Sequence, residues 1–103
     1  MSASFDYYRT FYYVAKYKNF TRAATMLLSS QPSVTRSIQN LESELGCRLF
    51  IRSRHGVRLT PEGEELYPFI ERLIYRHRAL QEKVNEIRGL ETGVIRVGTI
   101  SSI

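Results

Sequence analysis

The sequence predicts a mainly α chain, a winged helix-turn-helix followed by a long coiled-coil linker helix. Two observations carry that prediction. From Phe20 to Gly46 a short helical pattern, a polar break and a second helix opened by proline and closed by glycine follow one another within 27 residues. From Leu66 to Ile87 a seam apolar at every position but His77 alternates spacings of four and three without a slip. The segmentation that follows is 1–60 for the winged helix-turn-helix, 61–89 for the linker and dimerisation helix, and 90–103 for a hinge and the first strand of a further domain.

Phe5 to Tyr17 reads as a first helix with a wide apolar face, Phe5, Tyr8, Tyr12 and Ala15 on one side and Phe11 and Val14 beside them. Five tyrosines crowd this segment, Tyr7, Tyr8, Tyr12, Tyr13 and Tyr17. Core packing is their expected role, with some left for a second contact surface; base stacking on single strands is the competing one. The next helix is expected from Arg22 to Leu28, with Thr21 as N-cap and Ala23 and Ala24 allowing close helix approach. Ser29, Ser30 and Gln31 break the pattern. Pro32 then falls in the first turn of a helix that Gly46 closes.

In that helix Val34, Ile38, Leu41 and Leu45 line one stripe at about 100° per residue and face the core. Pro32, Arg36, Gln39, Asn40 and Ser43 lie opposite, with Ser33 and Thr35 flanking. Short or hydrogen-bonding side chains around one long cation suit a DNA major groove. A generic αα-hairpin is the plain alternative.

Arg48 to Arg52 and Val57 to Leu59 read as two short strands around Ser53-Arg54-His55-Gly56, with Gly56 available for a turn that needs positive φ. Arg52, Arg54 and Arg58 alternate, placing them on one face if the strands continue. Phosphate or minor-groove contact is expected from Arg54 and His55. For Arg52 a structural ion pair with Glu42 or Glu44 explains an arginine equally well.

Thr60 as N-cap and Pro61 at the first helical position start the long helix, with Glu62, Glu64 and Glu65 where the helix dipole favours negative charge. Its seam, Leu66, Ile70, Leu73, His77, Leu80, Val84 and Ile87, is an a/d pattern over about three heptads and calls for a partner helix. His77 at an a position either sets register or is paired with water. Pro68 is the misfit, removing the hydrogen bond to Glu64; a kink there would set the angle between two DNA readers. Gly89 to Gly93 is expected to end the helix, and Val94, Ile95, Val97 and Ile100 form an apolar, β-prone run suited to a buried strand of a further domain, so the chain reads as a fragment.

Charge is unevenly placed. Residues 1–60 carry nine Lys/Arg against three Asp/Glu, and residues 61–103 carry six against seven, within a net charge of +5. Clustered basic charge supplies the salt-dependent part of nucleic-acid affinity. One cysteine, Cys47, precludes an intramolecular disulfide or a cysteine-based zinc site within one chain and reads as a small packing residue. His55 and His77 lack companions for a metal. No paired carboxylates or nucleophile–base pair converge, so an enzyme is not expected. No apolar run approaches the ~20 residues of a membrane span and no signal peptide opens the chain, which reads as soluble and cytoplasmic.

The strings F-T-R-A-A from Phe20, S-Q-P-S-V-T-R from Ser30, I-Q-N-L-E-S-E-L-G-C-R-L-F from Ile38 and L-T-P-E-G from Leu59 together resemble the N-terminal region of the LysR-type transcriptional regulators, over Phe5 to about Ile100. Departures are Thr35 where serine is usual, and Arg54-His55 where arginine usually stands second. Histidine, mostly neutral at pH 7, is the weaker phosphate partner.

The helix face, the wing and the seam together lead to the expectation of a dimer on a pseudo-palindromic DNA operator, with Gln31, Pro32, Ser33, Thr35, Arg36, Gln39, Arg52, Arg54 and His55 at the DNA and no cofactor in this stretch. The resemblance implies that the full-length protein is an activator or repressor, usually tetrameric, whose further domain binds a small-molecule effector. A coiled-coil dimerisation module with only non-specific nucleic-acid affinity is the alternative; it leaves Arg36, Gln39 and the wing without a role.

Overall fold

The computed structural model describes residues 4–92 and orders them as α1 (Phe5–Tyr17), α2 (Phe20–Met26), α3 (Gln31–Leu45), β1 (Phe50–Ser53), β2 (Gly56–Leu59) and α4 (Pro61–Thr92). The chain divides into two units, Met1–Arg72 and Leu73–Ile103. Among the described residues the first holds the three short helices, the hairpin and the opening turns of α4, and the second holds the rest of that helix.

Each short helix is bounded by its own chemistry. Ser4 caps α1, its Oγ accepting from Tyr7 N, and Lys18 ends it in the left-handed region at φ 54 with its N–H on the Val14 carbonyl. That reversal leaves Asn19 extended, the backbone an N-cap requires, and its Oδ1 accepts from Arg22 N at 2.8 Å. The expected cap at Thr21 is therefore corrected to Asn19, and α2 runs Phe20–Met26 rather than Arg22–Leu28. Ser30 caps α3 by accepting from Ser33 N, so Gln31 belongs to the helix rather than to the break, and Gly46 closes it at φ 75.

Leu28 stands out in the turn between α2 and α3. It is 95% exposed and sits at φ 56, a region where its Cβ crowds the following carbonyl. Leu28→Asn is expected to raise unfolding free energy by about 1 kcal/mol, because asparagine tolerates this conformation. Urea denaturation checks the sign.

The core of the first unit forms where α1 and α3 meet the hairpin. Phe11, Val14, Leu41 and Leu49 are fully buried, with Phe20, Val34, Ile38 and Phe50 beside them. The Phe50 ring lies 5.3 Å from Phe11 and 5.9 Å from Phe20, and Tyr67 stacks on Tyr12 at 5.9 Å. Of the five tyrosines expected to pack in the core only Tyr12 is buried; Tyr7, Tyr8, Tyr13 and Tyr17 are half-buried.

The hairpin pairs Phe50 with Leu59, Ile51 with Arg58, Arg52 with Val57 and Ser53 with Gly56, antiparallel, with Gly56 at φ 119. Paired residues share a face, so Arg52 and Arg58 lie on opposite faces, which corrects the single arginine face expected from alternation. β1 starts at Phe50 rather than Arg48 because the backbone before it is held elsewhere: Arg48 O accepts from Thr60 Oγ1 and Leu49 N donates to Glu42.

Thr60 caps α4 as expected, accepting from Gly63 N at 3.0 Å. The helix continues through Pro68 and past Gly89 to Thr92. Gly89 does not end it, since one glycine costs only about 1 kcal/mol in a helix interior. The expected strand of Val94 to Ile100 lies outside the described residues.

Candidate nucleic-acid interface

The second helix of the pair, α3, turns its apolar stripe inward and leaves Pro32, Ser33, Arg36, Gln39, Asn40 and Ser43 exposed. Gln31 and Thr35 are half-buried and joined, Gln31 Nε2 donating to Thr35 Oγ1 at 3.1 Å. Asn40 points its amide to α1, donating to the Tyr7 hydroxyl at 3.1 Å. The free part of the face is thereby narrowed to the side bearing Arg36 and Gln39.

The wing meets α3 along a small cleft of about 90 Å³ lined by Thr35, Gln39, Glu42, Arg48 and Arg52, over a floor of Phe20, Ile38 and Phe50. Thr35, Gln39 and Arg52, separate in the sequence, are brought together there. Arg52 stacks its guanidinium over the Phe20 ring at 3.9 Å. The ion pair expected of it belongs instead to Arg48, whose Nε lies 3.7 Å from Glu42 Oε1. Position along the chain explains the exchange, since Glu42 holds Leu49 N and Phe50 N beside Arg48, whereas Arg52 lies further along, over the Phe20 ring.

Arg54 and His55 form the exposed two-residue tip of the hairpin, where Ser53 Oγ accepts from His55 N. Arg58 lies with Lys18 and Glu64 around another cleft, away from Arg52.

Along α4 the expected seam divides by burial. Leu66 and His77 are half-buried, Ile70 is buried, and Leu73, Leu80, Val84 and Ile87 remain 39%, 59%, 37% and 49% exposed. Ile74 is buried too, although the heptad count passes over it. Lys83 Nζ lies 2.8 Å from Glu86 Oε1 on the exposed surface; the pair raises the lysine pKa and lowers that of the carboxyl through their hydrogen bond and mutual attraction.

Sequence reasoning missed the role of Glu42, whose carboxylate leaves α3 to hold the root of the wing. The available signal is a carboxylate near the end of α3 with an arginine six residues on. Among the described residues no group of three His, Cys, Asp or Glu is placed to hold a metal ion. No helix among them is long and apolar enough to cross a membrane.

Residues 5–64 match the family model described as bacterial regulatory helix-turn-helix protein, lysR family. The chain is 37% identical over 95 residues to the transcriptional regulator HdfR of Yersinia pestis (strain Pestoides F), covering 92% of this chain and 32% of that relative. It thus spans about a third of the length of the curated relatives it matches. Its fold superposes on the oxidised form of OxyR from Corynebacterium glutamicum with a TM-score of 0.81 at 34% identity, over 86% of this chain and 27% of that one. It superposes on the BenM DBD in its complex with catB site 1 DNA with a TM-score of 0.75 at 34% identity, over 82% and 96% of the two chains.

Proposed function

The chain belongs to the lysR family of bacterial regulatory helix-turn-helix proteins, and from that premise we propose that it reads duplex DNA as the DNA-binding part of a dimeric transcriptional regulator. One observation carries the reading. The polar face of α3, with Arg36 and Gln39 exposed, stands beside a basic wing on a scaffold shared with a domain solved on DNA.

In this reading α3 enters a major groove. Gln31, Pro32, Ser33, Thr35, Arg36 and Gln39 meet base edges or the flanking backbone, Arg52 supports the wing, and Arg54 and His55 reach phosphates. The α4 seam from Leu66 to Ile87 pairs with its copy in a homodimer through its exposed members, Leu73, Leu80, Val84 and Ile87, while Ile70 is already buried within the chain. Two-fold symmetry then calls for a pseudo-palindromic operator whose half-sites lie a whole number of turns apart, about 34 Å per turn. The full-length protein is read as a cytoplasmic regulator, tetrameric and answering to a small-molecule effector.

The test is selection of duplexes from genomic fragments by the purified chain, then affinity for the winner and for a scrambled duplex across a salt series. A preference of at least ~10³-fold with a steep salt slope is expected. Equal binding to all DNA, or none, overturns the reading and leaves a dimerisation module.

The seam has its own test. In Leu80→Asp each of two introduced carboxylates costs at least about 1.4 kcal/mol on burial, so the dimer Kd should rise at least about 100-fold. Sedimentation equilibrium checks it, and an unchanged Kd removes Leu80 from the interface.

A further inference from the structure

Glu42 belongs to α3 in sequence but to the wing by its bonds. Its carboxylate, 14% exposed, uses one oxygen for two backbone donors, Oε2 accepting from Leu49 N at 2.7 Å and from Phe50 N at 3.3 Å. The other oxygen faces the Arg48 guanidinium at 3.7 Å. The same segment is held from the start of α4, where Thr60 Oγ1 donates to Arg48 O at 2.7 Å and Thr60 N donates to Leu49 O at 3.0 Å. The root of the hairpin is thus tied to α3 by a charged acceptor and to α4 by a threonine.

A two-stranded ribbon has little stability of its own, so its direction comes from its root. From Phe50 to Arg54 the rise is about 13 Å at ~3.3 Å per residue. A rotation of about 10° at the root moves the tip by roughly 2 Å, several times the spread of hydrogen-bond lengths. Charge-assisted bonds to backbone N–H groups are the stiffer kind. Removing the carboxylate also leaves two part-buried donors seeking another acceptor.

We infer that Glu42 is a positioning residue of the wing: it touches no DNA, yet fixes where Arg54 and His55 stand relative to α3, so that groove and phosphate contacts form together. The inference rests on the duplex-DNA reading above. It assigns to the α3–wing junction a share of affinity that a contact map on DNA would credit to the tip.

The test is a double-mutant cycle of Glu42→Gln and Arg54→Ala. Its probe is the duplex the wild-type chain selects from genomic fragments. Glu42→Gln removes the charge but keeps an acceptor in the amide oxygen, which limits the risk to folding, and thermal melts verify that the variant folds. In the wild-type background Arg54→Ala should weaken binding about tenfold and lower the salt slope by about one. In the Glu42→Gln background the same change should matter less than about twofold, because the tip no longer meets its phosphates.

Equal fold-losses in both backgrounds overturn the inference. Amide exchange on the DNA-free chain supplies an independent readout. Faster exchange in Glu42→Gln confined to residues 49–59 is expected, and unchanged protection there overturns the inference even if the wild-type chain selects no duplex, the outcome that defeats the DNA reading itself.

Discussion

Gly63→Ala is expected to destabilise the first unit by about 3 kcal/mol, a large part of the stability of a small domain. In an exposed helix the same change would stabilise by up to about 1 kcal/mol, because alanine is the better helix former. Here the sign reverses on geometry. A Cβ on Gly63 would lie 2.5 Å from the Leu49 carbonyl oxygen and 2.9 Å from Leu59 Cδ2. The first of these is backbone and cannot step aside freely, since that oxygen accepts from Thr60 N. Gly63 N, in turn, donates to Thr60 Oγ1, so pushing the helix outward strains the cap. Urea denaturation should show a lower midpoint at an unchanged m-value; a midpoint unchanged or raised would show that the junction yields.

The start of α4 also shows what the sequence disclosed and what it did not. Thr60, Pro61 and the following glutamates announce a helix start by local chemistry alone, and the same holds for Gly46 at the end of α3. The stripe of Val34, Ile38 and Leu41 was readable because burial follows helical period. The cap at Asn19 was not, because it depends on Lys18 reversing the chain, a conformation in which lysine is uncommon. Nor was the partner of Glu42. Which arginine meets it turns on where the chain after Gly46 returns to α3: Glu42 holds Leu49 N and Phe50 N, so neighbouring Arg48 comes within reach, while Arg52, of the same parity but four residues on, lies over Phe20.

The close approach at Gly63 and the tie at Glu42 converge on residues 48–50 from opposite sides. The strings R-L-F before the wing and L-T-P-E-G after it thereby acquire a shared physical role. They make one junction from which α3, the hairpin and α4 all depart. Nothing in periodicity or composition points to such a junction, because its bonds join side chains to backbone across seven to twelve residues.

Arg36→Ala should weaken binding to the selected duplex by about 1–3 kcal/mol, roughly 5- to 150-fold, while affinity for scrambled DNA stays within about twofold. Arg36 is the one cation on α3, it is exposed, and among the described residues it has no hydrogen-bond or ion-pair partner to give up. Its guanidinium is therefore free to meet DNA without first breaking an internal bond. A bidentate contact to guanine O6 and N7 carries the sequence dependence; a phosphate contact carries none. Equal loss on selected and scrambled duplexes would move Arg36 to the backbone class and leave base reading to Gln31, Ser33, Thr35 and Gln39. Arg36→Lys separates the two roles further: lysine keeps the charge but not the planar fork. Retained non-specific affinity with a flattened preference at one base pair is the expected signature of a base contact, and full recovery of both affinities by lysine is that of a phosphate contact.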